Sequence, residues 1–150
     1  MYEIYTLKSY EDYIGMLDLF SDVFSDPSSY SKNRPSRDYI QNLLSDKNFI
    51  GLVAKNNSGK VIGALAGYVL RKFEQDRSEI FIYDLGVLEG YRRQKIASNL
   101  IEKLKIIAKN LGAYVIFVQA DKDIEDEPAI ALYKKLGTQE DVFHFDIDVS

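Results

Sequence analysis

The chain has 150 residues, 46% apolar and 28% charged, a balance and length that suit one globular domain with a sizeable core. It has no cysteine and a single histidine, His144, which excludes disulfides, thiolate nucleophiles and cysteine- or histidine-rich metal sites, so no metal centre is expected. The net charge of −4 is uneven: residues 121–150 hold nine acidic and three basic residues, net −6, and the other 120 hold 16 Lys+Arg and 14 Asp+Glu, net +2.

Residues 2–7 alternate and predict a short strand. From about Glu11 to Phe24, apolar residues recur at helical spacing, and Asp26-Pro27-Ser28-Ser29 breaks that helix. Ser36 is a good cap for a second helix carrying Tyr39, Ile40, Leu43 and Leu44. Phe49–Ala54 and Val61–Leu70 read as strands joined by the turn Asn56-Asn57-Ser58-Gly59. A charged connection (residues 71–77) leads to a strand over Glu79–Leu88. The next helix, Ile96–Leu111, is amphipathic and ends at Gly112. Tyr114–Val118 is five apolar residues, read as a strand buried on both faces. Asp126 can cap a last helix with Pro128 in its first turn and Ala129, Leu132, Tyr133 and Leu136 on its inner face, closed by Gly137. VFHFDIDV (residues 142–149) alternates and predicts a final strand. The predicted order is βααβββαβαβ, an α/β fold with a mixed sheet.

No apolar run approaches the roughly 20 residues of a membrane span, and MYEIYTLKSYEDY lacks the basic-then-apolar layout of a signal peptide. A cytoplasmic protein with no membrane partner is expected. The basic residues form no long stripe, so nucleic acid is not expected as a partner either.

The stretch Ser78–Lys105 carries the most information. An apolar strand runs into the basic turn Arg92-Arg93-Gln94-Lys95, and a helix opens at Ile96-Ala97-Ser98. Unpaired backbone N–H groups at a helix start favour an anion, and arginine side chains converge on the same spot. A nucleotide-type pyrophosphate suits this arrangement, although neither GxGxxG nor the P-loop pattern is present. The acidic C-terminal part adds the expectation of a cationic ligand beside the anionic one.

The frame Arg92-x-x-Lys95-x-Ala97 resembles the Gln/Arg-x-x-Gly-x-Gly/Ala motif of the GNAT acetyltransferase superfamily, with lysine where the family has glycine. The segment Pro128–Gly137 resembles that family's A-x-x-L-Y-x-K-x-G block. More narrowly, GALAGYVLRKFEQDRSEIFIYDLGV (63–87), LGAYVIFVQAD (111–121), DEPAIALYKKLG (126–137) and FHFDID (143–148) resemble the aminoglycoside 3-N-acetyltransferases of the gentamicin-resistance type. The likeness runs from about Leu19 to Asp148.

This resemblance implies a single GNAT domain over residues 1–150, with a mixed, mostly antiparallel sheet flanked by helices. It implies transfer of acetyl from acetyl-CoA to the 3-amino group of a 2-deoxystreptamine aminoglycoside, by direct attack of the amine on the thioester. Arg92, Arg93, Gln94, Lys95, Ile96, Ala97 and Ser98 would bind the pyrophosphate. Leu85, Gly86 and Val87 would pair with the pantetheine arm, with Gln119, Ala129, Leu132 and Tyr133 completing the acetyl-CoA site. Tyr133 would be the acid near the sulfur. The resemblance also allows a homodimer.

The reaction needs a base for the acceptor amine and an N–H donor for the oxyanion. Asp84 interrupts the apolar run IFIYDLGV, where a carboxyl tends to have a raised pKa, and is the expected base or acceptor anchor. Glu79 is the reserve, and the backbone N–H of Val87 is the expected oxyanion donor. A polycationic acceptor needs carboxylates to dock, and Asp121, Glu125, Asp126, Glu127, Asp146 and Asp148 can supply them. Tyr30 and Tyr83 can stack on a sugar, and His144 reads as structural. Two further readings keep the fold: a polyamine or peptide acceptor, or a CoA-binding, drug-sequestering protein whose catalysis Lys95 weakens by crowding the phosphates.

Overall fold

The structure, a computed structural model, describes residues 1–122 and 126–150 and divides into two compact units, Met1–Gln119 and Ala120–Ser150. The first contains β1 (Tyr2–Thr6), α1 (Tyr10–Val23), a π-helical turn (Ser28–Lys32), α2 (Arg37–Leu44), β2 (Phe49–Asn56), β3 (Val61–Arg71), β4 (Ser78–Val87), a 3-10 turn (Glu89–Tyr91), α3 (Ile96–Asn110) and β5 (Ala113–Val118). The second contains α4 (Glu127–Leu136).

Local chemistry sets these bounds. Ser36 Oγ accepts the Tyr39 N–H at the start of α2, as the sequence predicts, and Ser9 Oγ, not named from sequence, accepts the Asp12 N–H at the start of α1. Asn56 Oδ1 accepts the N–H groups of Ser58 and Lys60, closing the turn between β2 and β3.

The five strands lie in sequence order. β1 to β4 pair antiparallel, and β5 joins β4 in parallel after the crossover through α3. On one face Met16, Leu19 and Phe20 of α1 and Ile40 of α2 bury themselves in a cluster with Val53, Ala64 and Ala66 of the sheet. On α3, Ile96, Leu100, Ile101 and Leu104 are buried, as are Ile50, Leu52, Leu65, Ile80 and Ile82 of the strands. Each large apolar side chain so buried contributes about 1.5–3 kcal/mol. Ile96 sits so close to β3 that a Cβ on Gly63 would lie 2.6 Å from its methyl carbon, which seats the start of α3 against the sheet.

Two expectations are corrected. β5 is not buried on both faces: it is the sheet's edge, and Tyr114 and Val115 are 48% and 40% exposed. A short apolar run is the same in a central and an edge strand. Residues 142–149 form no strand either, so the element order ends in α4. Phe143, Phe145, Ile147 and Val149 are all at least 78% exposed. Alternation prepares a segment for one face of a sheet, but a strand also needs a neighbour to pair its N–H and C=O groups. Among the described residues this segment has none. No helix among them is long and apolar enough to cross a membrane.

Candidate active site

Asp84 stands at an irregularity in β4. Ala66 of β3 faces Asp84, but the next residue, Gly67, faces Ile82, so Tyr83 is an extra residue on β4. Such a bulge reverses which face the following residues point to. Before it, Phe81 stacks on Phe117 of β5, and Ile80 and Ile82 are buried. After it, Gly86 faces Leu19, Phe20 and Val23 of α1. Strict alternation would point Asp84 away from α1. The bulge turns it towards α1, where Tyr30 Oη donates to Asp84 Oδ2 at 2.7 Å. Gly67 makes this possible, since a Cβ there would meet the Phe81 carbonyl oxygen at 2.8 Å.

The setting decides the chemistry of this carboxyl. Burial raises the Asp84 pKa, and the hydrogen bond from Tyr30 pulls it partly back. The group is a stronger proton acceptor than a solvated carboxylate, with no Lys or Arg among the described residues bonded to it to quench it. Glu79 differs. The Tyr114 hydroxyl donates to it, and Lys72 Nζ lies 3.5 Å away. Those partners hold its carboxyl below the usual range and make it the weaker base.

Beyond Asp84, the sheet opens. β5 lies beside β4 only between Ser78 and Ile82. From Tyr83 to Val87, β4 keeps β3 on one side and has no strand on the other among the described residues. Backbone groups alternate along a strand, and the Leu88 N–H bonds the Ile62 carbonyl of β3 at 2.9 Å. Within Leu85–Val87 it is therefore Leu85 and Val87 that turn theirs to the open edge, available to an extended ligand.

The strand then delivers the basic turn. Arg93 and Lys95 both take left-handed backbone conformations, with φ of 64° and 62°. Lys95 caps α3 without any side-chain hydrogen bond, and α3 has no acidic residue in its first turn. The first helical N–H to find a backbone acceptor is that of Asn99, which bonds the Lys95 carbonyl at 2.9 Å. The amides of Ile96, Ala97 and Ser98 thus form the positive end of a 15-residue helix. Arg92, Arg93, Gln94 and Lys95 are exposed around them. Tyr2 holds the turn in shape: its hydroxyl donates to the Gln94 carbonyl at 3.1 Å and accepts from Asn99 Nδ2 at 2.6 Å. This is a donor set suited to a phosphate group.

The remaining candidates fall in several places. Tyr83 is 60% exposed and packs edge-on against Tyr68 and Phe81. Gln119 is exposed just after β5, at the end of the first unit. In the second unit Asp126 is the cap of α4, Pro128 lies in its first turn, and Ala129, Leu132 and Tyr133 are half-buried, whereas Leu136 is exposed. Asp121 and Glu127 are exposed. Asp146 lies 3.0 Å from His144 Nε2. Glu125 lies outside the described residues.

Sequence reasoning missed two features of this site, the bulge and the bond from Tyr30. The only local signal for the bulge was Gly67 opposite it. Nothing links positions 30 and 84 in sequence.

These features place the chain in a known group. It matches the acetyltransferase (GNAT) family over residues 15–138 and belongs to that family. A solved aminoglycoside acetyltransferase from an uncultured soil metagenomic sample is 50% identical to it, with a TM-score of 0.97 over 100% of this chain and 99% of that one. A second aminoglycoside acetyltransferase from an uncultured soil metagenomic sample is 29% identical, with a TM-score of 0.88 over 99% of this chain and 97% of that one. It has been solved in complex with trehalose and with sisomicin. An aminoglycoside antibiotic 6'-N-acetyltransferase from Acinetobacter baumannii, 20% identical over 100% of both chains with a TM-score of 0.77, shares the fold. No curated protein matches the chain in sequence.

Proposed function

We propose that this acetyltransferase, one domain over residues 1–150, moves the acetyl group of acetyl-CoA to the 3-amino group of a 2-deoxystreptamine aminoglycoside in the cytoplasm. The observation that carries the reading is Asp84. It is a half-buried carboxyl on β4, immediately before the open stretch Leu85–Val87 and one short connection from the basic turn. The 50%-identical soil enzyme and the sisomicin-bound relative support the acceptor class.

Acetyl-CoA supplies an activated thioester carbonyl. The chain supplies the rest. The amides of Ile96, Ala97 and Ser98, with Arg92, Arg93 and Lys95, hold the pyrophosphate, and Leu85–Val87 line up the pantetheine arm by backbone pairing. Asp84 takes the proton from the acceptor ammonium, because only the neutral amine has a lone pair to attack. The Val87 N–H donates to the oxyanion, and the Tyr133 hydroxyl gives its proton to the departing sulfur, the proton that the nitrogen sheds as the amide forms restoring the phenol. Asp121, Glu125, Asp126, Glu127 and Asp146 draw in the polycation, whose other ammonium groups need counter-charges.

Thiol release measured across an aminoglycoside panel, with spermidine as a control, tests the acceptor class. NMR of the product identifies the acetylated nitrogen. We expect turnover with deoxystreptamine drugs and acetylation at the 3-amino group. Turnover with spermidine alone would sink the aminoglycoside reading, and a 6'-N product would move the site while keeping the class.

A further inference from the structure

Tyr30 occupies an unusual piece of backbone. The five residues Ser28–Lys32 form a π-helical turn, a rare conformation that persists only where its surroundings fix it. Here they do. Ser29 N–H bonds Asp26 Oδ1 at 3.1 Å, Ser31 Oγ bonds the Pro27 carbonyl at 3.0 Å, and Asn33 Nδ2 bonds the Ser28 carbonyl at 2.9 Å. Ser31 Oγ also lies 3.1 Å from Ser21 Oγ of α1. The Tyr30 ring packs against two phenylalanines at the end of α1 that stack on each other, with centroids 5.7 Å from Phe20 and 5.8 Å from Phe24. From this seat its hydroxyl donates to Asp84 Oδ2 at 2.7 Å.

We propose that Tyr30 is a positioning residue for acetyl transfer: its phenol fixes the Asp84 carboxylate through Oδ2 and leaves Oδ1 to receive the proton of the acceptor ammonium. The proposal rests on the reading of Asp84 as the base. The proton balance is simple. The ammonium loses one proton to Oδ1, and Tyr30 keeps its own, since burial and the neighbouring Asp84 both push its pKa up. Donation by Tyr30 favours the charged carboxylate and opposes the effect of burial on Asp84. The other titratable groups around this pair are Tyr68 on β3, Tyr83 on β4 and Asp26, two residues before the π turn. The side chains of α1 facing this stretch of β4, Leu19, Phe20 and Val23, are apolar.

The test is the pH profile of kcat/KM with Tyr30→Phe, which removes the hydroxyl and keeps the ring. Without the donor the Asp84 pKa rises, so the acidic limb moves to higher pH by about one unit. Activity should fall about tenfold below that limb and recover above it, with KM for acetyl-CoA unchanged. An acidic limb that stays in place overturns the proposal. If Tyr30→Phe fails to fold, 3-fluorotyrosine at position 30 keeps the shape, strengthens the donor and should move the limb to lower pH; no movement again overturns it. In an Asp84→Asn background, Tyr30→Phe should add no further loss of turnover, whereas an equal loss in both backgrounds would mean a purely structural role. Asp84→Asn with full turnover would overturn the reading of Asp84 itself.

Discussion

Asp84 and the turn at residues 92–95 lie at the two ends of one short stretch of chain, yet they are built from different parts of it. At Asp84 the working atom belongs to a side chain, and its behaviour depends on a bulge and on a phenol 54 residues away. At the turn, the groups proposed to hold acetyl-CoA are the backbone amides of Ile96, Ala97 and Ser98, set by two left-handed residues, Arg93 and Lys95, with several exposed cations around them. On the proposed reading the acceptor end concentrates its function in one carboxyl, and the cofactor end spreads it. Single substitutions should be severe at the first and graded at the second.

The largest effect should come from Asp84→Asn, which removes the proposed base and keeps the shape. We expect turnover to fall about 10²- to 10⁴-fold. Stability should behave in the opposite way. Burial raises the Asp84 pKa above its unfolded value. Its contribution to stability is thus fully present below the unfolded pKa and is lost as pH rises through the folded one. Asparagine carries no charge to bury, so the variant should melt at the same or a higher temperature near neutral pH. Thermal melts beside kcat check both statements. A clear drop in Tm with turnover retained would make Asp84 a structural residue.

Gly67→Ala attacks the same end indirectly. Its Cβ would press on the Phe81 carbonyl oxygen at 2.8 Å, so the bulge must shift. Overpacking of this kind costs about 1–3 kcal/mol. A displacement of about 1 Å at the base costs about 10²-fold in turnover. Since the turn at 92–95 is untouched, KM for acetyl-CoA should stay near its original value. Arg92→Ala should do the reverse. It removes one cation among several, so KM for acetyl-CoA rises about tenfold with little change in kcat at saturation. That difference should shrink as salt is added, because Arg92 is exposed. Equal losses in kcat and KM for either variant would mean that the two ends are coupled.

The contrast also explains what could be read from the sequence. Helix starts at Ser36 and Ile96, the Asn56–Gly59 turn and the amphipathic face of α3 are set by neighbours within a few residues, and they were legible. Asp84 was legible as a carboxyl inside an apolar run. Its direction was not, because the bulge depends on how β3 and β4 register. The sequence offered Tyr30 only as a ring to stack on a sugar; its packing on Phe20 and Phe24 and its bond to Asp84 were not legible for the same reason, nor was the tie between Glu79 and Tyr114 of β5. The alternation of residues 142–149 was plain, but alternation fixes only which side chains share a face. Whether a strand forms depends on an edge to pair with, and no residue within the segment reports that.

Lys95 gives the smallest expected effect and the sharpest view of the cofactor end. Where the family motif has glycine, this chain places lysine at φ 62° and ψ 20°. The left-handed conformation costs a residue with a Cβ about 1–2 kcal/mol, and glycine would avoid that. Glycine would also cost about 0.5–1 kcal/mol in the entropy of the unfolded chain. The two nearly cancel, so Lys95→Gly should change stability by no more than about 1 kcal/mol. The turn forms with lysine in the left-handed conformation, so what distinguishes this position from the family's glycine is the side chain beside the α3 amides. What the substitution removes is one exposed cation beside the α3 amides. Acetyl-CoA affinity should therefore change by a few-fold, in a salt-dependent way, and turnover at saturating acetyl-CoA should stay the same. Calorimetry with acetyl-CoA and steady-state kinetics on the same preparation separate the two. A large change in saturated turnover would show that Lys95 acts on the reaction itself and that the cofactor end is less forgiving than its backbone construction implies.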